Sequence, residues 1–345
     1  MYKVWQHRRI DRIKTEGCAD VRILITGGTG LLGNNLIRLA LDRNFSVATL
    51  CRSDRNNRAF QGLDVDVYSV DLTDPVGLPQ ALDQHFDAVI HCAAHIHIGW
   101  TQGDEGMRIN RDGTLSLLDA CSRKSCRFIH VSTVNTLPIG SQEQTTDEQS
   151  IGDGQVPCTY VLTKRAAEKA AVDAANRGQD VVIVHPGFML GPWDWKPSSG
   201  RMIQGLNHFA PLAPSGGCSV GDPRDVAEAI LNAIDRGRPG RHYILGGENL
   251  TYLELWRRIS IALGKRGPIT YMRPPARYIG SFVGDMMGWL TGKEPDINSA
   301  AIRMSSQFHW YSSQRAIEEL GYKIRSVDDS IGDAVRWLRS QQLIK

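Results

Sequence analysis

Apolar positions along this chain switch between two periods. Short runs rich in β-branched residues occur at 21–26, 46–51, 65–70, 87–92, 127–132 and 180–185, and each reads as a buried strand. Between them apolar residues recur at helical spacing, at 31–43, 75–84, 105–122 and 159–177. In the first of these helices the stripe is Leu31, Leu32, Leu36, Ile37, Leu39 and Ala40. Strands that alternate with helices predict an α/β protein with a doubly wound parallel sheet. No self-similarity at solenoid periods interrupts that pattern.

The texture changes at Pro186. Residues 186–222 are rich in proline and glycine and carry Trp193 and Trp195. Helices are predicted at 223–236 and 251–263, a short strand near 242–245, and two more helices within 312–340. This division predicts an extension at 1–20, a sheet domain at 21–186 to which later segments can return, and a smaller lobe built mainly from 187–345. The stretch 275–292 is apolar, but its glycines at 280, 284, 288 and 292 interrupt a strongly amphipathic helix, which favours a core or lid helix over a membrane-surface one.

Composition narrows the classes. Of 345 residues, 41% are hydrophobic and 22% charged, with a formal net charge of +3, which gives no reason to propose nucleic acid or a membrane surface as partner. No apolar run approaches the ~20 residues of a membrane span. The seven cysteines form no C-x-x-C pair, which fits reduced thiols and a cytoplasmic location. Residues 1–20 are basic, lack a long apolar core and read as a loose extension rather than a secretory signal; Arg8, Arg9, Arg12 and Lys14 could alternatively form an interaction arm.

Candidate chemistry begins where the first strand meets the first helix, in VRILITGGTGLLG. A strand, a glycine turn and a helix place free N–H groups and the positive end of a helix dipole against a diphosphate. Gly27 and Gly28 permit the turn, Gly30 lets backbone approach the phosphates, and Gly33 lets helix and strand pack closely. The backbone from Gly27 through Thr29, Gly30, Leu31 and Leu32 is therefore the expected cofactor cradle. About 20 residues later an NAD site expects a carboxylate on the ribose. Here Arg52 stands at the strand end, followed by Ser53, Arg55 and Arg58. A guanidinium pairs with a 2′-phosphate, so NADP(H) is the preferred cofactor and NAD(H) remains possible. Asp71 and Leu72 are candidates for the adenine, and Ala93 and Ala94 are small enough for close approach of backbone to the cofactor. His91, His95 and His97 lack supporting carboxylate or cysteine spacing, so no metal centre is expected; His95, His97 and Trp100 are instead substrate-pocket candidates.

Tyr160 and Lys164 lie four apart on a predicted helix, hence on one face, after a strand ending in Ser132-Thr133. A free phenol, with a pKa of about 10, is a poor acid–base group near neutrality, and a neighbouring ammonium would lower it. Thr133 would orient a carbonyl beside the phenol. An exposed Tyr and Lys on a surface helix is the bland alternative, disfavoured by the order of the motifs.

TGGTGLLG, DLTD, HCAA, Asn110-x-x-Gly113-Thr114, VST and YVLTK, in this order, resemble the extended short-chain dehydrogenase/reductases over residues 21–260. Within that superfamily the chain looks like the dihydroflavonol-4-reductase group, and 237–255 is especially similar to hopanoid-associated sugar epimerases. The resemblance implies a Rossmann-type NAD(P)-binding domain and a C-terminal substrate-binding lobe. It implies Tyr160 as acid/base, Lys164 as its partner and Thr133 at the hydroxyl position, with Ser132 able to substitute. It also implies nicotinamide contacts from His185-Pro186-Gly187 and a cofactor-side position for Asn110, for which capping or packing is an equal alternative. Nucleotide-sugar epimerases usually carry Asn after the proline of the sixth strand; here the run is HPGFMLGP. Phe188, Trp193 and Trp195 suggest a more apolar substrate. The expected activity is reduction of a ketone or oxidation of its alcohol on a small molecule, with sugar epimerisation as the alternative and a non-catalytic NADP-binding regulator less favoured. A homodimer is the base-rate expectation.

Overall fold

The computed structural model describes residues 21–52, 57–74, 76–141, 143–150, 152–208 and 210–345. The extension at 1–20, with its arginines and Lys14, lies outside the described residues, as do Ser53 and Arg55. Six parallel strands follow the predicted pattern: β1 (Arg22–Thr26), β2 (Ser46–Cys51), β3 (Asp66–Ser69), β4 (Ala88–His91), β5 (Arg127–Val131) and β6 (Val181–Pro186). A seventh, His242–Leu245, pairs in parallel with β6, so the sheet order is His242–Leu245, β6, β5, β4, β1, β2, β3. The order reverses between β1 and β4. At such a switch point the strand ends leave a crevice for a ligand.

Both faces of the sheet are covered, which is why its strands are apolar throughout. Ile23 and Ile25 point to the face packed by the first helix, Leu31–Asp42, and by Pro223–Arg236; Leu24 points to the face packed by Gly113–Lys124 and Thr159–Asn176. All three β1 side chains are fully buried, each contributing about 1.5–3 kcal/mol. Truncating Ile25 to Ala would cost about 2–5 kcal/mol.

A second core lies beyond the carboxyl ends of the strands. Gly217–Gly221 is its central strand, flanked by Glu248–Thr251 and Phe308–His309, with Phe188–Met189 pairing at Val220 and Gly221. Leu255 and Ile259 from helix Tyr252–Leu263 pack there against Ile331 and Val335 from helix Val327–Ser340. Helix Tyr252–Leu263 starts at a capping box: Thr251 Oγ1 accepts from Glu254 N at 3.2 Å while Glu254 Oε2 accepts from Thr251 N at 2.9 Å. It stops at Gly264, whose φ of 71° is the left-handed conformation of a C-terminal cap.

Two elements differ from expectation. The helix predicted at 105–122 is interrupted: Met107–Asp112 forms a π-helical turn before helix Gly113–Lys124. The widened turn accompanies an inward Asn110, which accepts from His95 N at 2.7 Å and donates to His95 O at 3.0 Å and Thr163 Oγ1 at 2.9 Å. The stretch predicted as a core or lid helix forms Pro274–Thr291, but it is not a core helix; Gly284 is its only buried residue among those described. Its glycines do not break it. Gly280, Gly284 and Gly288 recur every four residues and make one face, where a Cβ on Gly284 would stand 2.1 Å from Ile297 O. The small ridge lets the helix lie against 295–302 and turns its bulky residues outward.

Candidate active site

The first cavity, of about 570 Å³, lies at the switch point. β1 feeds a turn in which Gly27 has φ 76°, and a Cβ there would sit 2.8 Å from Ala93 N. A Cβ on Gly33 would meet Gly27 O at 2.2 Å, so the helix start needs glycine to close on the turn. The helix has no side-chain cap at Gly30, which leaves its first N–H groups to whatever occupies the cavity. The walls include Thr29, Gly30, Leu31, Leu32, Arg52 and Asp71. Leu72, Ala93, Ala94, Pro186 and Gly187 also line it. An uncapped helix start, a backbone turn with no room for side chains and an arginine at the far end fit a dinucleotide. Asp71 is raised by burial, but bonds from Thr73 N and Oγ1, at 2.8 and 2.7 Å, and nearby Arg52 and Arg108 bring it below the usual carboxylate range. Lys196, Ser198 and Ser199 line the same cavity and carry no signal in the sequence motif.

At its inner end stand the residues expected to carry the chemistry. Tyr160 and Lys164 share one face of helix Thr159–Asn176, and Thr133 lines the cavity beside the phenol. The expected depression of Tyr160 is corrected: burial raises its pKa, and Thr133 only partly opposes this. The ammonium is engaged elsewhere, since Lys164 Nζ donates to Val131 O at 2.7 Å. Burial pushes Lys164 down to about 8, with Glu168 and Cys92 opposing.

Glu168, one further turn along the helix, is a residue that motif reasoning missed. The Ser132 hydroxyl donates to it at 2.5 Å and His185 Nδ1 lies 3.8 Å away. His185 Nε2 shares a hydrogen bond with His242 Nδ1 at 2.9 Å, and its Nδ1 lies 3.2 Å from Thr133 O. Glu168, His185 and His242 are close enough together to hold an ion; Glu168 accepts from Ser132, and His185 and His242 share a hydrogen bond. The signal was the spacing of four, Tyr160–Lys164–Glu168.

A second cavity of about 490 Å³ shares Ile96, Thr133, Tyr160, Gly187 and Met189 with the first. Its other walls are largely apolar: Ile98, Val134, Phe188, Met202, Tyr252 and Trp256 among them. Of the six substrate-side candidates, His95, His97, Trp100, Phe188, Trp193 and Trp195, only Phe188 lines it. In the segment after β4, Ile96 and Ile98 line the cavity, while His95 and His97 do not. His95 is instead held by Gln102 at 3.0 Å and His97 by Glu294 at 2.9 Å. Trp100 donates to Ser299 Oγ at 2.8 Å on the outer surface. Trp193 has a left-handed backbone, φ 72°, and stacks under Arg38 with the guanidinium 3.4 Å from the ring centre, outside the cavity walls. Asn110 lines neither cavity; it ties the segment after β4 to the catalytic helix, the packing role.

The profile of the NAD dependent epimerase/dehydratase family matches residues 23–246. A Synechocystis sp. protein named "Putative dihydroflavonol 4-reductase" is 32% identical over 332 residues, covering 93% of this chain and 95% of its own. Sterol demethylase protein B of Methylococcus capsulatus is 29% identical, covering 93% and 99%. The crystal structure of a nucleoside-diphosphate-sugar epimerase from Pseudomonas aeruginosa superposes with a TM-score of 0.78 at 25% identity, covering 95% of this chain and 100% of that one.

Proposed function

The chain belongs to the NAD dependent epimerase/dehydratase family, and from that premise we propose that it reduces bulky apolar ketones, or oxidises the matching secondary alcohols, with NADP(H) preferred. The enzyme is an NAD(P)-dependent oxidoreductase of the extended short-chain dehydrogenase/reductase type. One observation carries the substrate reading: the cavity that opens at Tyr160 is walled largely by apolar and aromatic side chains, Ile98, Val134, Phe188, Met202, Tyr252 and Trp256, with Arg201, Arg277 and Asp296 as its charged members. An apolar cavity of this kind favours a substrate with few polar atoms. The names of the reductase and sterol-demethylase relatives point the same way.

The nicotinamide, when bound, supplies or accepts hydride at the carbonyl carbon. Tyr160 gives the oxygen its proton in reduction and takes it in oxidation, and Thr133 holds phenol and oxygen in line. Lys164, buried beside them, carries positive charge below its pKa of about 8 and would hold the ribose hydroxyls of the bound cofactor. Gly187 and Pro186 bring backbone to the nicotinamide side. Arg52, at the far end of the cleft where its own strand β2 ends without a carboxylate, supports NADP(H).

Epimerisation is the second reading, supported by the likeness to the Pseudomonas epimerase. Gly187-Phe188 in place of an amide side chain speaks against a sugar diphosphate. The test follows NADPH with cyclic apolar ketones and with nucleotide sugars. Stoichiometric NADPH consumption with a ketone is the expected result. Interconversion of nucleotide sugars with no net change in cofactor overturns it.

A further inference from the structure

The helix Pro274–Thr291 presents the largest run of exposed bulky apolar residues among the described residues. Trp289 is 82% exposed, Tyr278 76% and Phe282 68%, with Ile279, Met287 and Leu290 beside them. A contiguous patch of this size on a monomer marks an interaction surface. The glycine ridge at 280, 284 and 288 buries the opposite face against 295–302, so the helix is held in place and its apolar half is left to the outside.

Charge selects the partner. Lys265, Arg266 and Arg273 precede the helix and Lys293 follows it; all four are exposed, and none of them is paired with a carboxylate among the described residues. The acidic groups of the same region are turned onto protein partners. Asp285 accepts from Ser299 N at 2.9 Å, Glu294 holds His97 and the Trp100 N–H, and Asp296 pairs with Arg201 at 2.8 Å. Unpaired bases beside exposed aromatic and aliphatic residues match the interface of an anionic bilayer, in which Trp and Tyr settle at headgroup level. A second copy of this chain would bring like charges together. Placement fits as well: Met272 and Arg277, at the start of this helix, and Ile297, beneath it, line the apolar cavity at Tyr160. No helix of the described residues is long and apolar enough to cross a membrane, so the surface lies on a bilayer rather than through it.

We propose that helix Pro274–Thr291 docks the enzyme on an anionic lipid surface and sets the mouth of the apolar cavity against it. Supply of a water-insoluble ketone from the bilayer rests on the function proposed above; the docking itself does not. The test is co-flotation of the full chain with vesicles of phosphatidylcholine alone and of phosphatidylcholine with ~30% phosphatidylglycerol. Binding to the anionic vesicles is expected, weakened by added salt and at least tenfold by Phe282→Asp with Trp289→Asp. Lys265→Glu with Arg266→Glu should weaken it by several-fold. All of these are surface positions; thermal melts check that folding is intact, and turnover of a short soluble ketone should be unchanged. No flotation, or flotation indifferent to these substitutions, overturns the proposal. So does a dimer in light scattering that the Phe282→Asp/Trp289→Asp pair dissolves. Flotation without any ketone turnover would sink the proposed function and leave the docking standing.

Discussion

Two cavities meet at Tyr160 and are built in opposite ways. The dinucleotide cleft is made of strand-end turns: each wall is a few consecutive residues, and much of its chemistry is backbone. The apolar cavity is collected from segments as far apart as Ile96 and His309, and its chemistry is all side chain. Backbone turns tolerate almost no substitution, because a Cβ has nowhere to go. Side-chain walls exchange freely as long as volume and polarity hold. One cavity can thus remain fixed while the other is refitted to a new substrate. This is the physical basis for finding reductases and sugar epimerases on one fold.

Substitutions can break that contrast in order of effect. Tyr160→Phe strikes where both cavities meet, and kcat should fall by about 10²–10⁴-fold with NADPH affinity nearly intact, read by stopped-time assays and fluorescence titration. Unchanged turnover would remove the phenol from the chemistry. Trp256→Ala touches the apolar side alone. KM for a bulky ketone should rise about ten- to hundredfold while a small ketone and NADPH are unaffected. Gly27→Val touches the cleft alone. With φ at 76° and Ala93 N at 2.8 Å, it should cost at least about 1–3 kcal/mol of stability in a thermal melt and weaken both cofactors. Equal cofactor binding in this variant would mean the turn is not the cradle.

Arg52→Ala should erode a preference for NADPH over NADH of about tenfold and leave NADH binding nearly unchanged, measured by titrating both reduced cofactors. Equal affinities in the unmodified enzyme would retire the role of Arg52. The smallest effect is with pH. Lys164 is charged below about 8 and loses its proton as pH rises through that value, so cofactor affinity should decline on the alkaline side. Lys164→Met should flatten that limb; an identical profile in the variant would place the titration elsewhere.

Legibility in the sequence divides along the same line. The β1 turn, Arg52, Asp71, Ala93 and the Tyr160–Lys164 pair were readable because local motifs carry them, and all line the cleft. His95, Trp100 and Trp193 were chosen for their chemistry at roughly the right place. Their side chains are spent on Gln102, Ser299 and Arg38, and the inward positions went to Ile96 and Ile98. Which way such a segment faces depends on what packs against it, and that is not local information. Asn110 shows the same limit: the motif puts it on the cofactor side, but at the π-helical turn its amide bonds His95 and Thr163 and it lines neither cavity. The glycines of 275–292 read locally as breaks, and their spacing of four acquires its meaning only from the partner surface at 295–302.

The strand His242–Leu245 has a consequence for how the protein is made. The chain leaves β6 at Pro186 and returns to its edge only at His242, after laying down Phe188–Met189, Gly217–Gly221 and helix Pro223–Arg236. Until residue 245 has left the ribosome, Val181–Val184, each fully buried in the finished protein, form an open strand edge. Such an edge is a template for pairing with a neighbouring chain. A nascent or proteolysed fragment ending near residue 222 would therefore be adhesive rather than merely incomplete. The late strand seals the sheet, and with it the wall that both cavities share.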